Sequence, residues 1–172
     1  MYQILRYTDE ADKSNGIAGA VIALYACDGE QCIARISLED GENALDFAPE
    51  AFYVCNPRFS AKIAWTQLMR DFQFFSGLFF GNVICRHRLS NRSLSQEAME
   101  ALREIVYSQG RDRCELDDDE LEAWFNKDLL YYQRLFNHPT VLDAAQTLAR
   151  NLRAQRRMTA GDVLEYLSRL SM

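Results

Sequence analysis

The sequence predicts an α+β fold. In it, an N-terminal antiparallel β-meander of three to five strands packs against about five C-terminal helices, within a single domain over residues 1–172. Three observations lead there. The 172 residues are 48% hydrophobic and 26% charged, enough apolar content for one core and ordinary for a chain that folds alone. Residues 1–58 carry turn signals between apolar runs, while 59–172 carry apolar residues at spacings of three and four. The charge divides at the same place: 1–58 hold four basic and ten acidic side chains, and 59–172 hold fifteen of each. Strand chemistry followed by helix chemistry indicates segregated elements rather than βαβ alternation.

In the first part, Tyr2 to Tyr7 reads as an edge strand and Asp9 to Gly16 as a loop. Asp28-Gly29 and Asp40-Gly41 then mark two hairpins in a meander from about Val21 to Phe47. The first hairpin pairs Cys27 with Cys32, Tyr25 with Ala34, Ala23 with Ile36 and Val21 with Leu38. The second pairs Leu38 with Asn43, Ile36 with Leu45 and Ala34 with Phe47, and sets Arg35 opposite Asp46. Because strand side chains alternate, both hairpins place their apolar residues on one face. The segment AFYVC, between Pro49 and Asn56-Pro57, reads as a fourth strand or a helical turn.

From Ser60 the stripe Trp65, Leu68, Phe72, Phe75 and Phe79 predicts an amphipathic helix. Phe74, Leu78 and Phe80 lie off that stripe, and Gly77 and Gly81 are expected to stop or kink the helix. A second helix should start near Ser93, bury Met99, Leu102, Ile105 and Val106, and end at Gly110. A third starts at Asp117 with Glu120 three residues on, burying Leu121, Phe125, Leu129, Tyr132 and Phe136. Pro139 opens a fourth, with Asn137 or His138 at its cap and Val141, Ala145, Leu148 and Leu152 inward. Thr159 and Asp162 cap a fifth, with Val163, Leu164, Leu167 and Leu170 as its apolar positions.

Several function classes are disfavoured by these residues. A net charge of −6 argues against nucleic acid as the partner of the whole chain. The most apolar stretch, Phe72 to Cys85, is too short and too polar for a membrane span. The opening MYQILRYTDEAD lacks the basic start and apolar run of a secretory signal, so a cytoplasmic location with reduced thiols is expected. The five cysteines form no CxxC pair, and neither His87 nor His138 sits in a ligand-spaced cluster, so no metal and no cofactor is expected. The acids from Glu115 to Glu122 lack the alternation and central glycine of a calcium loop and are better explained as a capped helix start. No nucleophile elbow, zincin motif or phosphate loop is present.

Two arginine clusters are candidate anion sites: Arg86, His87, Arg88 and Arg92, and Arg150, Arg153, Arg156 and Arg157. Sixteen arginines against three lysines favour bidentate pairing with carboxylates or phosphates, inside the chain or outside it. Phe74, Gly77, Phe80 and Gly81 are candidate interface residues, because the aromatic content of their helix exceeds one amphipathic stripe. The function expected is therefore a non-catalytic interaction or regulatory protein with a protein partner, in the simplest form a homodimer. A first alternative is a small-molecule binder or enzyme, with a pocket between the sheet and the first long helix near Tyr25, Phe72 and His87. A second is RNA or phosphate binding through the arginines.

Overall fold

A computed structural model describes residues 6–40, 44–49, 51–52 and 60–168. It holds six helices and a three-stranded antiparallel sheet, an α+β architecture. The first departure from expectation is at the start. Glu10–Tyr25 form helix α1, where a loop and the first meander strand were expected. The Asp9 carboxylate accepts from the Asp12 amide at 2.7 Å and caps the helix. From Ile17 to Leu24 every residue is buried. A helix enclosed on all sides carries no polar face, so its apolar run has no 3.6-residue period to distinguish it from a strand. Asp28, with φ 55°, reverses the chain after α1 and feeds a short 3-10 turn, Glu30–Cys32, rather than a hairpin. Cys27 and Cys32 consequently do not face each other across strands. Cys27 Sγ lies 3.2 Å from the Tyr132 hydroxyl, and Cys32 is buried against the Ala51 carbonyl.

The second hairpin is present. β1 (Ile33–Ser37) pairs with β2 (Leu45–Phe47), with Ile36 opposite Leu45 and Arg35 opposite Asp46 as the alternation requires. Arg35 Nε donates to the Asp46 carboxylate at 2.9 Å. A register shift between Ile33 and Arg35 moves Phe47 opposite Ile33 instead of Ala34, which leaves Ala34 exposed and Ile33 buried. The opposite edge of β1 is filled by an unexpected strand, β3 (Arg157–Thr159), with Met158 opposite Ile36. Of the remaining strand expectations, residues 1–5, the tip at 41–43 and Tyr53 to Cys55 lie outside the described residues. Tyr7 belongs to no element, and Ala51 and Phe52 form a bend.

Five helices follow residue 59. α2 (Ala61–Leu89) is capped by Ser60 and runs unbroken through Gly77 and Gly81. Both glycines are contact points. A Cβ on Gly81 would lie 2.4 Å from the Gly19 carbonyl oxygen of α1, and one on Gly77 would lie 2.5 Å from the Tyr132 hydroxyl. The helix persists because tight packing against two neighbours outweighs the intrinsic cost of glycine, about 1 kcal/mol per residue. Its stripe begins later than expected: Trp65 is 48% exposed, whereas Phe72 and Phe79 are buried, and Phe80, off the stripe, is buried as well. α3 (Gln96–Cys114) is capped by Ser95, two residues beyond the expected start. It passes through Gly110, where a side chain would strike Leu121, and ends at Glu115 in the left-handed region with φ 51°.

α4 (Asp118–Leu135) and α6 (Ala160–Leu167) carry capping boxes at Asp117/Glu120 and Thr159/Asp162. Between them α5 (Pro139–Gln155) has Pro139 in its first turn and His138 at its cap, and buries Val141, Ala145, Leu148 and Leu152. Leu164 is the exception in α6, 39% exposed while Val163 and Leu167 are buried. Leu170 lies outside the described residues. None of the helices described is long and apolar enough to cross a membrane.

Candidate functional site

The close crossing at Gly19 and Gly81 sets α1 and α2 side by side beneath the hairpin, and a cavity of about 440 Å³ lies between them and the sheet. That volume is within the range of small-molecule sites. α2 supplies Phe75, Leu78, Phe79 and Asn82, which at spacings of three and four share one helix face. Ile17 and Ala20 come from α1, Leu45 and Phe47 from β2, and Arg113 from the last turn of α3. The wall is thus apolar with three polar features.

Two of these are joined. Asn82, only 5% exposed, donates through Nδ2 to the Tyr7 hydroxyl at 3.0 Å, while its Oδ1 has no hydrogen-bond partner among the described residues. Its amide fits only because residue 16 is glycine, where a Cβ would stand 2.8 Å from Nδ2. Burial pushes the Tyr7 phenol above its ordinary pKa, so it is neutral in the physiological range. The third feature is Arg113. Its guanidinium sits 5.1 Å above the Phe75 ring and is paired with no carboxylate among the described residues. The neighbouring Arg111, by contrast, is held by Asp118 at 2.6 Å.

The two arginine clusters are mostly occupied. Arg86 Nε donates to Asp12 at 2.8 Å, its Nη2 donates to the Arg6 carbonyl at 3.0 Å, and the guanidinium covers the Tyr7 ring. Burial opposes the charge of Asp12, yet hydrogen bonds from Arg86 and the Thr8 amide hold its carboxyl below the usual value. Arg153 donates to Ser14 Oγ at 2.6 Å, Arg156 pairs with Glu10, and Arg157 pairs with Glu39 at 2.9 Å. Glu10, Asp12, Glu39 and Asp40 of the acidic first segment are therefore counter-charges to Arg86, Arg156 and Arg157. Both clusters reach the first turns of α1 through internal ion pairs, Arg86 at Asp12 and Arg156 at Glu10, while Arg88 and Arg92 are exposed. Arg150 is exposed on α5. Arg88 and Arg92 border a crevice of about 170 Å³ with His87, whose Nδ1 donates to the Val83 carbonyl at 2.8 Å.

The remaining site residues are placed as follows. Phe74 is 3% exposed and Phe80 fully buried, and Gly77 and Gly81 face α4 and α1. All four are used within the chain. Tyr25, Phe72 and His87 are not brought together. Phe72 is core against Trp124, and Tyr25 lines a wider surface cleft of about 860 Å³ with Asp28, Glu30, Tyr131, Arg134 and His138. Most of that cleft's polar groups are solvent-exposed. A pocket between sheet and long helix exists, but it is built by residues the sequence reading left out: Asn82, Tyr7 and Arg113. The available signal was Asn82, the amide interrupting the apolar run at a position in line with Phe75 and Phe79.

A separate buried polar group joins α2 and α4. The Asp128 carboxylate accepts from Ser76 Oγ at 3.0 Å, and Trp124 Nε1 donates to the same hydroxyl at 3.4 Å. Burial raises the Asp128 pKa. Among the described residues no three His, Cys, Asp or Glu side chains are grouped as metal ligands. Compared with known proteins, the chain matches no family model, no curated protein sequence and no solved structure.

Proposed function

We propose that the chain is a non-catalytic regulatory protein that binds an apolar small molecule between its hairpin and α2. The cavity carries this reading: about 440 Å³ with a mainly aliphatic and aromatic wall. Its described lining holds one amide, one phenol and one guanidinium, with no carboxylate, thiol or imidazole to move a proton near neutral pH. Such a lining supports binding over general acid–base chemistry. The regulatory part of the proposal is a protein partner that reads the occupied state, in the simplest case a second copy of the chain. With Phe74 and Phe80 buried, the apolar surface left for it on α2 is that of Ile63 and Trp65, each about half exposed.

Titration with the neutral fluorophore N-phenyl-1-naphthylamine tests the pocket. The expected result is saturable binding at one site, lost in Ala20→Phe and in Ala44→Phe, which place a ring in the cavity from two different walls. Unchanged binding in folded forms of both variants would refute the reading.

A further inference from the structure

Given a pocket that binds small apolar molecules, on which this inference rests, the geometry points to a ligand class: we propose a medium-chain carboxylate. The wall runs along α2 from Phe75 to Asn82, seven positions further on, or about 10 Å at the helical rise. Its two ends differ. At the Phe75 end stands Arg113, a guanidinium held over an aromatic ring with no carboxylate partner among the described residues. At the other end the Asn82 amide and the Tyr7 phenol close the wall, already bonded to each other. Between them lie Phe75, Leu78 and Phe79 on one side and Ile17, Ala20, Leu45 and Phe47 on the others.

An occupant that matches this order has an anionic head at one end of a slender apolar body. Guanidinium recognises a carboxylate through two parallel N–H donors, the geometry that a point charge such as ammonium does not offer. The chain of the ligand replaces water along the aliphatic wall, and the polar pair at the far end limits its length. An extended acyl chain of about eight carbons spans the 10 Å available. A long-chain acid would have to fold back or leave its tail in water, and a neutral alcohol of equal length would offer Arg113 one uncharged acceptor in place of a bidentate anion. The ligand is the free acid in solution. The cavity is concave between α1, α2 and the hairpin, and a bilayer would present its chains to a flat apolar face.

Calorimetric titration with octanoate, 1-octanol and hexadecanoate separates the possibilities. Octanoate is expected to bind the native chain at one site, at least tenfold more tightly than 1-octanol and more tightly than hexadecanoate. Arg113→Gln should abolish the preference for acid over alcohol while leaving 1-octanol binding in place, and Arg113→Lys should restore only part of it. Arg113 is exposed and sits at a helix end, so these variants are expected to fold. Equal affinity for acid and alcohol in the native chain, or an acid preference that survives Arg113→Gln, overturns the carboxylate assignment while the apolar pocket stands. Failure of 1-octanol and the neutral fluorophore alike overturns the pocket itself. Octanoate binding unchanged in Ala20→Phe and Ala44→Phe places the acid on the surface and refutes the proposal.

Discussion

Asp12 and Asp128 are both carboxylates that other side chains enclose, and their environments push them in opposite directions. Asp12 meets Arg86, with side chains 14% and 11% exposed, so the pair is largely withdrawn from water. Its folded pKa is depressed, which means its contribution is complete above the unfolded value near 3.8 and is lost as pH falls through the lower folded value. Arg86→Met leaves the Asp12 charge without its partner and is expected to lower stability at pH 7 by roughly 2–3 kcal/mol. The penalty should shrink as acid neutralises Asp12. Asp128 is the reverse case. Its folded pKa is raised by burial, so folding costs free energy at neutral pH and that cost vanishes below the unfolded value. Asp128→Asn, which keeps an acceptor for Ser76, is expected to raise the melting temperature at pH 7 and to have little effect near pH 3. Thermal melts of both variants from pH 3 to pH 7 test the pair. A destabilising Asp128→Asn at pH 7 would mean that the ionised carboxylate is the form the fold favours.

Glycine has opposite meanings in different elements. In α2, Gly81 touches the α1 backbone, and a methyl there must separate two helices that also frame the pocket. Gly81→Ala is therefore expected to cost about 1–2 kcal/mol even after the gain in helix propensity. Gly161 in α6 meets nothing closer than Thr159 Oγ1 at 3.7 Å, so Gly161→Ala should stabilise by about 0.5–1 kcal/mol. Urea midpoints of the two variants should move in opposite directions. Elements with an exposed face were legible in the sequence for a related reason. α4, α5 and α6 show amphipathic periods and end signals that act locally, at Asp117, Pro139 and Thr159. α1 was not legible, because burial on every side removes the polar half of the pattern. The helix-ending role expected of Gly77, Gly81 and Gly110 failed for one reason: each is small because a neighbouring element touches it.

At the scale of the molecule, charge and topology tie the two halves of the chain together. Arginines of α2, of the α5–β3 junction and of β3 meet acids of α1 and of the β1–β2 hairpin, and β3 completes the sheet from the far end of the chain. Arg88, Arg92, Arg134 and Arg150 are exposed with no carboxylate partner among the described residues, as Arg113 is, and what distinguishes Arg113 is its place in the lining of the apolar cavity. On α2 the exposed large apolar side chains are Ile63 and Trp65, two positions apart and so on different sides of the helix, and a second copy could cover the surface of either. Self-association through that surface predicts a doubled solution mass by light scattering, reduced to one chain by Trp65→Ser with Ile63→Ser. A native chain of single mass at all concentrations would remove the second copy as partner and leave the ligand pocket untouched.

By itself the sequence determined the α+β class, the Ile36–Leu45 and Arg35–Asp46 register, and the starts of α4, α5 and α6. Each of these depends on residues close together along the chain, where capping, turn chemistry and alternation act without knowledge of the rest. Tertiary structure alone decided that α1 is a helix, that Arg157–Thr159 is a strand, and that Tyr7, Asn82 and Arg113 border one cavity. Those outcomes depend on what packs against each segment, and the placement of residues 7, 82 and 113 around one cavity leaves no periodic trace in the chain.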